Sequence, residues 1–326
     1  MIGVATARLG RTDMEITRVG FGAWAIGGGG WSNAWGAQDD DESVAAIRHA
    51  VERGVNWIDT AAIYGHGHSE DVTARALRDI PDADRPLVFT KGGLGWNERD
   101  HMEQATRRGD PASIRQDVED SLRRLGVERI DLFQMHWPAE DGSQIEDYWN
   151  VFAQLKEAGK LRAIGLSNHA IPALERAEAI AHVDSLQPPF SAIRTGAFED
   201  GLLDWCADHE TGVIVYSPMG SGLLTGAFSA ERVASLPEDD WRRTSEDFTT
   251  NLDRNLATGA ALARVAERHG VSQASAAVAW TLGFRGVTGA IVGARTPAQI
   301  DGWIEGASVA LTAEDYAEVG SAIPRA

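Results

Sequence analysis

Four side chains of this sequence have the types and spacing to move a proton to or from an oxygen atom. Asp59 ends the apolar run Val55–Asp59, Tyr64 follows five residues later, Lys91 ends the run Leu87–Lys91, and His136 ends the run Ile130–His136. An ammonium that closes an apolar strand is costly unless a carboxylate pairs with it, and Asp59 on the neighbouring run is the natural partner. A tyrosine with the ordinary pKa of about 10 is a poor acid near neutrality unless a cation stabilises its phenolate. Lys91 could supply that cation, and His136 a further donor. Together they read as a proton donor aimed at a carbonyl or alcohol oxygen. Taken singly, each residue reads more readily as a strand cap; the ordered set of four on three consecutive runs favours chemistry.

The elements that would position them recur along nearly the whole chain. Short apolar runs occur at Val19–Gly22, Val55–Asp59, Leu87–Lys91, Ile130–His136, Ala163–Ser167, Ser185–Gln187, Val213–Tyr216 and Ala290–Val292. Between them lie segments of near-3.6 apolar spacing, such as Val44, Ile47, Val51 and Ile114, Val118, Leu122, Leu125. Asp110-Pro111 reads as a helix start, and Gly126 and Gly159 as helix ends. Apolar strands that do not alternate, each followed by a helix, imply a parallel sheet covered by helices. Eight such units predict an α/β fold of the (β/α)₈ TIM-barrel type, with a doubly wound open sheet as the alternative. No linker or composition shift divides the chain, so residues 1–326 read as one domain. Residues 7–20 resemble a hairpin closing the barrel floor. The polar stretch Ser229–Asn255 exceeds a plain loop and predicts a lid or an extra helix at the catalytic face.

Composition narrows the partners. There are 30 Lys and Arg against 48 Asp and Glu, a net charge of −18, which repels nucleic acid and anionic membranes. No apolar run approaches the ~18–20 residues of a membrane-spanning helix. The first residues lack the pattern of a secretory signal, and the single cysteine, Cys206, excludes an internal disulfide or a multi-cysteine metal site. A cytoplasmic setting and a small-molecule partner are expected. An anionic ligand would need a local site of N–H groups and arginines opposing the overall field.

Several signals point elsewhere and are set aside. Gly20 to Ala25 matches the permissive GxGxxA dinucleotide pattern, but the glycine run Gly27–Gly30 follows where a helix should begin. His66 and His68 lack a third ligand, so no metal is expected. The sequence has 11 tryptophans; Trp24, Trp31, Trp35, Trp96 and Trp137 fall in loops or strand ends on the catalytic face and read as an aromatic substrate pocket. Trp149, Trp205 and Trp280, at helical spacing, read as core, and Cys206 as a buried bystander.

The segments DTAAIYGHGHSE (59–70), FTKGG (89–93), DLFQMHWP (131–138), IGLSNH (164–169), VYSPMGSGLLTG (215–226) and IVGARTPAQID (291–301) resemble, in order and spacing, those of the aldo-keto reductases. The resemblance runs from about Val19 to Gly306. It implies a (β/α)₈ barrel and reversible, nicotinamide-dependent reduction of aldehydes or ketones to alcohols. It places a catalytic tetrad on Asp59, Tyr64, Lys91 and His136, with Tyr64 the general acid, Lys91 its tuner, Asp59 the partner of Lys91, and His136 orienting the carbonyl. It further implies that Ser167, Asn168 and Gln187 hold the nicotinamide carboxamide and that Tyr216 stacks on the ring. Ser217, Met219, Gly220, Gly222 and Leu223 would wrap the pyrophosphate, and Gly293, Ala294, Arg295, Gln299 and Asp301 would meet the adenosine end. Where relatives often carry Asn near the adenine, this chain has Trp303.

Arg295 is the one cation in the segment 291–299, beside the hydroxyl of Thr296, and could grip a 2′-phosphate through two donors. NADPH (NADP) is therefore expected over NADH, with NAD use also found in the family. Two other readings compete: a non-catalytic nucleotide-sensing subunit of the same fold, disfavoured by the complete tetrad, and a metal hydrolase using Asp59 and His136, disfavoured by the sparse ligand set.

Overall fold

A computed structural model describes residues 3–238 and 240–323. In chain order, β1 (Thr6–Arg8) and β2 (Glu15–Thr17) form an antiparallel hairpin. They are followed by β3 (Val19–Gly22), α1 (Asp40–Glu52), β4 (Trp57–Asp59), α2 (His68–Leu77) and β5 (Leu87–Gly92). A small hairpin of β6 (Leu94–Gly95) and β7 (Thr106–Arg107) precedes α3 (Pro111–Leu125), β8 (Ile130–Met135), α4 (Ile145–Glu157), β9 (Leu161–Ser167) and α5 (Ile171–Glu178). Then come β10 (Ser185–Gln187), α6 (Gly196–Glu199), α7 (Leu202–Asp208), β11 (Gly212–Tyr216), α8 (Ala230–Ala234), α9 (Leu252–His269) and α10 (Gln273–Leu282). The chain closes with β12 (Val287–Gly293), α11 (Pro297–Asp301) and α12 (Ala313–Ala322).

Eight parallel strands close a barrel in the order β3-β4-β5-β8-β9-β10-β11-β12, the architecture expected from the eight apolar runs, and an open sheet is excluded. Strand faces explain the apolar runs. One face packs against the helical shell, through residues such as Phe21, Ile58, Val88 and Phe133. The other fills the barrel with Trp57, Phe89, Leu132, Ala163, Ile214 and Ile291. Leu9, Met14 and Ile16, from the β1–β2 hairpin, plug the floor of this interior. Gly20 is needed there because a Cβ would lie 2.2 Å from the Trp57 indole. The GxGxxA pattern is thus a packing device, and a short 3-10 turn at Trp24–Ile26 follows it in place of a dinucleotide-binding helix.

Local chemistry sets the helix ends. Asp110 accepts from the Ser113 N–H at 2.9 Å ahead of Pro111, and Gly126 takes the left-handed conformation that ends α3. Trp149 and Trp280 are buried in the shell and Trp205 packs against it, while Cys206 is buried. The stretch 229–255 becomes α8, two 3-10 turns and the first residues of α9. No helix among the described residues is long and apolar enough to cross a membrane.

Candidate active site

The carboxyl ends of β4, β5 and β8 bring together the four residues expected to handle a proton, Asp59, Tyr64, Lys91 and His136. Lys91 Nζ donates to Asp59 Oδ1 at 2.5 Å and to the Thr60 carbonyl at 2.9 Å, and both charged groups are fully buried. The same ammonium lies 5.3 Å from the centre of the Tyr64 ring, which the turn after β4 carries back over it. His136, just beyond β8, meets that ring edge-on with centroids 5.7 Å apart. The second carboxylate oxygen of Asp59 accepts from Gln187 Nε2 at 3.0 Å and from Gln134 Nε2 at 3.4 Å.

Burial dominates the electrostatics of this group. It raises Asp59 against the opposing influence of Lys91, and lowers Lys91 against that of Asp59. Burial, with a further push from the Asp59 carboxylate, holds the Tyr64 phenol well above its ordinary value. Burial and Asp59 together outweigh any easing of Tyr64 by Lys91 in the resting site, so the phenol keeps its proton there. Tyr64 stays protonated through neutral pH. His136 is pushed well below 6.5, first by burial and then by Lys91 and Arg107, so its imidazole is neutral.

The next strand ends form a second polar group. Ser167 Oγ donates to the Gln187 carbonyl at 2.9 Å, Asn168 Nδ2 to the His136 carbonyl at 3.0 Å, and Tyr216 OH to Asn168 Oδ1 at 2.8 Å. Asn168, Ser217 and Ser221 all adopt left-handed backbone (φ 62°, 57° and 53°), a strain that clusters on this rim. Ser217, Met219 and Gly222 line a cleft of 760 Å³ that has Asp59, Tyr64 and His136 at its inner wall. Gly222 (φ 104°) leaves no room for a side chain, since a Cβ would approach the Phe228 ring to 2.8 Å. Gly220 and Leu223 sit behind this wall, Gly220 against Ile193 and Leu223 in a small core with Phe248 and Leu252.

The opposite wall comes from the end of β12 and its loop. Gly293, Ala294, Arg295 and Gln299 line it, as does Trp303. Asp301 does not: its carboxylate meets His49 of α1 at 3.0 Å and Arg53, the residue that follows that helix. Arg295 is already committed. Its guanidinium donates to Gln38 Oε1 and to the carbonyls of Trp35 and Ala37, stapling the loop after β3 to the end of β12.

Of the five loop tryptophans, Trp24, Trp31, Trp35 and Trp137 line the cleft. Trp96 stacks instead on His66 (5.1 Å) and donates to Glu98, away from it. His68 pairs with Asp40 at 2.8 Å, and no group of three metal-binding side chains occurs among the described residues. Sequence reasoning missed Trp241 and Arg242, which the stretch after α8 folds over the mouth. Trp241 stacks on Trp24 at 5.4 Å, and Arg242 lies 4.5 Å over Trp35 while gripping Asp240. The available signal was a lone tryptophan beside two arginines in an otherwise polar segment.

The cleft has the features a dinucleotide requires. Its size lies within the range of cofactor sites. Amides and hydroxyls gather at the inner end, and Arg194, Arg232, Arg242 and Arg295 line it in a chain of net charge −18. The indole N–H groups of Trp35 and Trp303 are buried there without a partner among the described residues.

A closed parallel barrel with its ionisable groups at the carboxyl ends of the strands is the design of a barrel enzyme. The chain belongs to the aldo/keto reductase family, whose sequence profile matches residues 18–324. It is 33% identical over 312 residues to Aldo-keto reductase YhdN of Bacillus subtilis (strain 168), covering 95% of this chain and 91% of that protein. It is 36% identical over 234 residues to the NADH-specific methylglyoxal reductase of Escherichia coli (strain K12), covering 69% and 70%. Among solved structures, the glycerol dehydrogenase from Gluconobacter oxydans superposes with a TM-score of 0.87 at 37% identity, covering 99% of this chain and 95% of that one. The protein is thus an oxidoreductase of a family that uses nicotinamide cofactors.

Proposed function

We propose that this protein reduces aldehydes and ketones to alcohols with NADPH, and that Tyr64 is its general acid. The observation that carries the reading is the buried Asp59–Lys91 pair beneath a protonated Tyr64, with neutral His136 beside it, at the inner wall of the cleft. When bound, the reduced nicotinamide supplies the hydride to the carbonyl carbon. Tyr64 gives its hydroxyl proton to the carbonyl oxygen, and the alcohol leaves with both. The neutral His136 donates a hydrogen bond to the same oxygen and fixes its direction. As the phenolate forms, the nearby Lys91 ammonium stabilises the new charge, and Asp59 keeps Lys91 in place.

Ser167, Asn168 and Gln187 hold the carboxamide in this reading, Tyr216 supports the ring, and the turn Ser217–Gly222 offers backbone N–H groups to the pyrophosphate. Arg295 meets the 2′-phosphate by exchanging the loop carbonyls it now holds for phosphate oxygens, with Arg232 and Arg242 close by. The walls nearest Tyr64, built from Trp24, Trp31, Leu94 and Trp137, favour an apolar or aromatic carbonyl substrate. The test is loss of NADPH absorbance with 4-nitrobenzaldehyde and with glyceraldehyde. Turnover with the aromatic aldehyde at the higher kcat/KM is the expected result. No turnover with either, in protein that binds the nucleotide, would sink the reading.

A further inference from the structure

Beneath the cleft, the barrel interior holds one polar layer above its apolar plug, and Gln134 belongs to it without being needed for packing. Lys91, Gln134, Gly165 and Ser185 stand at one register level on four adjacent strands. Gln134 is fully buried. Space is reserved for it: a Cβ on Gly165 would lie 3.1 Å from Gln134 Cγ and 2.8 Å from the Ser185 carbonyl. An apolar side chain of this length would fill the same volume, so the amide is present for its hydrogen bonds.

Those bonds have a fixed polarity. A carboxylate only accepts, so both glutamines must turn their NH₂ groups toward the free oxygen of Asp59. Gln187 Nε2 does so at 3.0 Å and also donates to Gln134 Oε1 at 3.3 Å, while Gln134 Nε2 donates to Asp59 at 3.4 Å. With its nitrogen held, Gln187 has its carbonyl oxygen left over. Gln187 lines the cleft, and no donor among the described residues reaches that oxygen.

The geometry points to Gln134 as a positioning residue that acts through Asp59 and Gln187: it locks the Gln187 amide so that an acceptor, never a donor, faces the cleft, and completes the donor shell of the carboxylate that holds Lys91. The ligand group this selects is a primary amide N–H, which ties the inference to the nicotinamide reading above. The lock also couples the two halves of the site. Anything that changes the donors on Asp59 changes both the Lys91 pair and the group offered to the cleft.

Two near-isosteric variants test it. Gln134→Met keeps the volume and removes both hydrogen bonds. Its carboxyl carbon signal for Asp59, followed by NMR in the nucleotide-free protein, is expected to titrate at higher pH than in the wild type, because a donor to the charged form is gone. NADPH affinity is expected to fall about three- to tenfold, the scale of one buried hydrogen bond. Gln134→Glu keeps the shape but can donate to Asp59 only when protonated, so it is expected to bind like the wild type at low pH and to lose affinity as pH rises.

An unshifted Asp59 titration in folded Gln134→Met overturns the proposal, as does pH-independent binding by Gln134→Glu. The Asp59 titration needs no turnover, so an inactive wild type would remove the reductase reading without touching this measurement. Normal wild-type reduction with an unshifted titration would do the reverse.

Discussion

The inner wall of the cleft and its mouth are built on opposite plans. At the inner wall, Asp59, Lys91 and Gln134 come from adjacent strands, are buried, and are held by hydrogen bonds inside the barrel. At the mouth, Trp24 and Trp35 from the loop after β3 meet Trp241 and Arg242 from the segment after β11, and the contacts are stacking and cation–π. The first plan gives groups whose charge state is set before any ligand arrives. The second gives surfaces held by contacts worth only about 0.5–2 kcal/mol each. In the proposed function, proton transfer belongs to the inner wall and the mouth serves only to hold the nucleotide, so substitutions in the two regions should fail differently.

The largest effect is expected at Tyr64. Tyr64→Phe keeps the ring against Trp24 and His136 and removes only the proton. Carbonyl reduction should fall by about 10²–10⁴-fold with nucleotide affinity unchanged. Retention of more than about a tenth of wild-type kcat would assign the proton to another group.

Lys91 is next, and its effect is on stability as well as rate. Lys91→Met leaves the Asp59 carboxylate buried and unpaired, at a cost of about 3–5 kcal/mol in denaturant unfolding. The sign with pH follows from Asp59, whose value burial already raises and whose raised value would climb further without the cation. A carboxyl with a raised folded-state pKa destabilises above its unfolded value, so the variant should lose more stability as pH rises. Asp59→Asn added to Lys91→Met should recover much of the loss. Wild-type stability in Lys91→Met would mean that the pair is not closed to water.

A third effect lies behind the same wall. His169, buried beside Asn168, meets Tyr148 OH at 2.9 Å and the Ser167 carbonyl at 2.7 Å, and burial pushes it down to about 4. Unfolded, it binds a proton near 6.5. Between those values the unfolded chain holds more protons, so stability falls as pH drops through that window, by about 3 kcal/mol from this group. His136 contributes with the same sign. His169→Gln, which still accepts from Tyr148, should show a shallower decline in urea midpoint from about pH 7 to 4. Parallel declines would show that His169 is not the group responsible.

How much of this was legible follows the same division. Strand placement was, because a strand covered on both sides must be apolar throughout, and Val88, Phe133 and Ile164 can be recognised without knowing what covers them. Asp59, Lys91 and His136 stood out because charge and imidazole at the end of such a strand need a reason. Gln134 gave no such sign, since a neutral amide inside an apolar run costs little to overlook, and its partners lie on β4 and β10. Asp301 and Arg295 sit at the expected places in the chain, yet rotamers decide what they touch. Asp301 turns to α1 and Arg295 to the loop 35–38, and neither choice is written in local spacing. Trp241 reaches Trp24 across more than two hundred residues of sequence, a contact no periodicity encodes.

Arg295 sharpens the comparison at the mouth. A charged hydrogen bond is worth about 1.5–3 kcal/mol, so Arg295→Ala should weaken NADPH about ten- to a hundredfold. The guanidinium also staples the loop 35–38, so a smaller loss common to NADPH and NADH is expected on top. Equal losses for both nucleotides would leave Arg295 as a loop staple only and remove the argument for NADPH.

The smallest effect should come from Trp241, and it bears most directly on the division between wall and mouth. Its ring lies nearly parallel to Trp24, at 16° and 5.4 Å, and edge-on to Trp35 at 5.7 Å. It is only half-buried and contributes nothing to the barrel interior. An aromatic pair adds about 0.5–1.5 kcal/mol beyond its buried area, so Trp241→Ala should speed nucleotide release by roughly two- to tenfold. The single-turnover rate of bound substrate should stay at its wild-type value, because no residue of the Asp59–Lys91–Tyr64–His136 group loses a contact. The thermal midpoint should fall only slightly, since Trp241 packs on the small Leu223–Phe248–Leu252 core and not on the barrel interior. Trp241→Phe should restore slow release by replacing one flat ring with another. Stopped-flow tryptophan fluorescence on mixing with excess competing nucleotide reads the release step directly. A fall in the single-turnover rate with release unchanged would place Trp241 with the inner wall, and the separation of chemistry from affinity would fail at the residue chosen to test it.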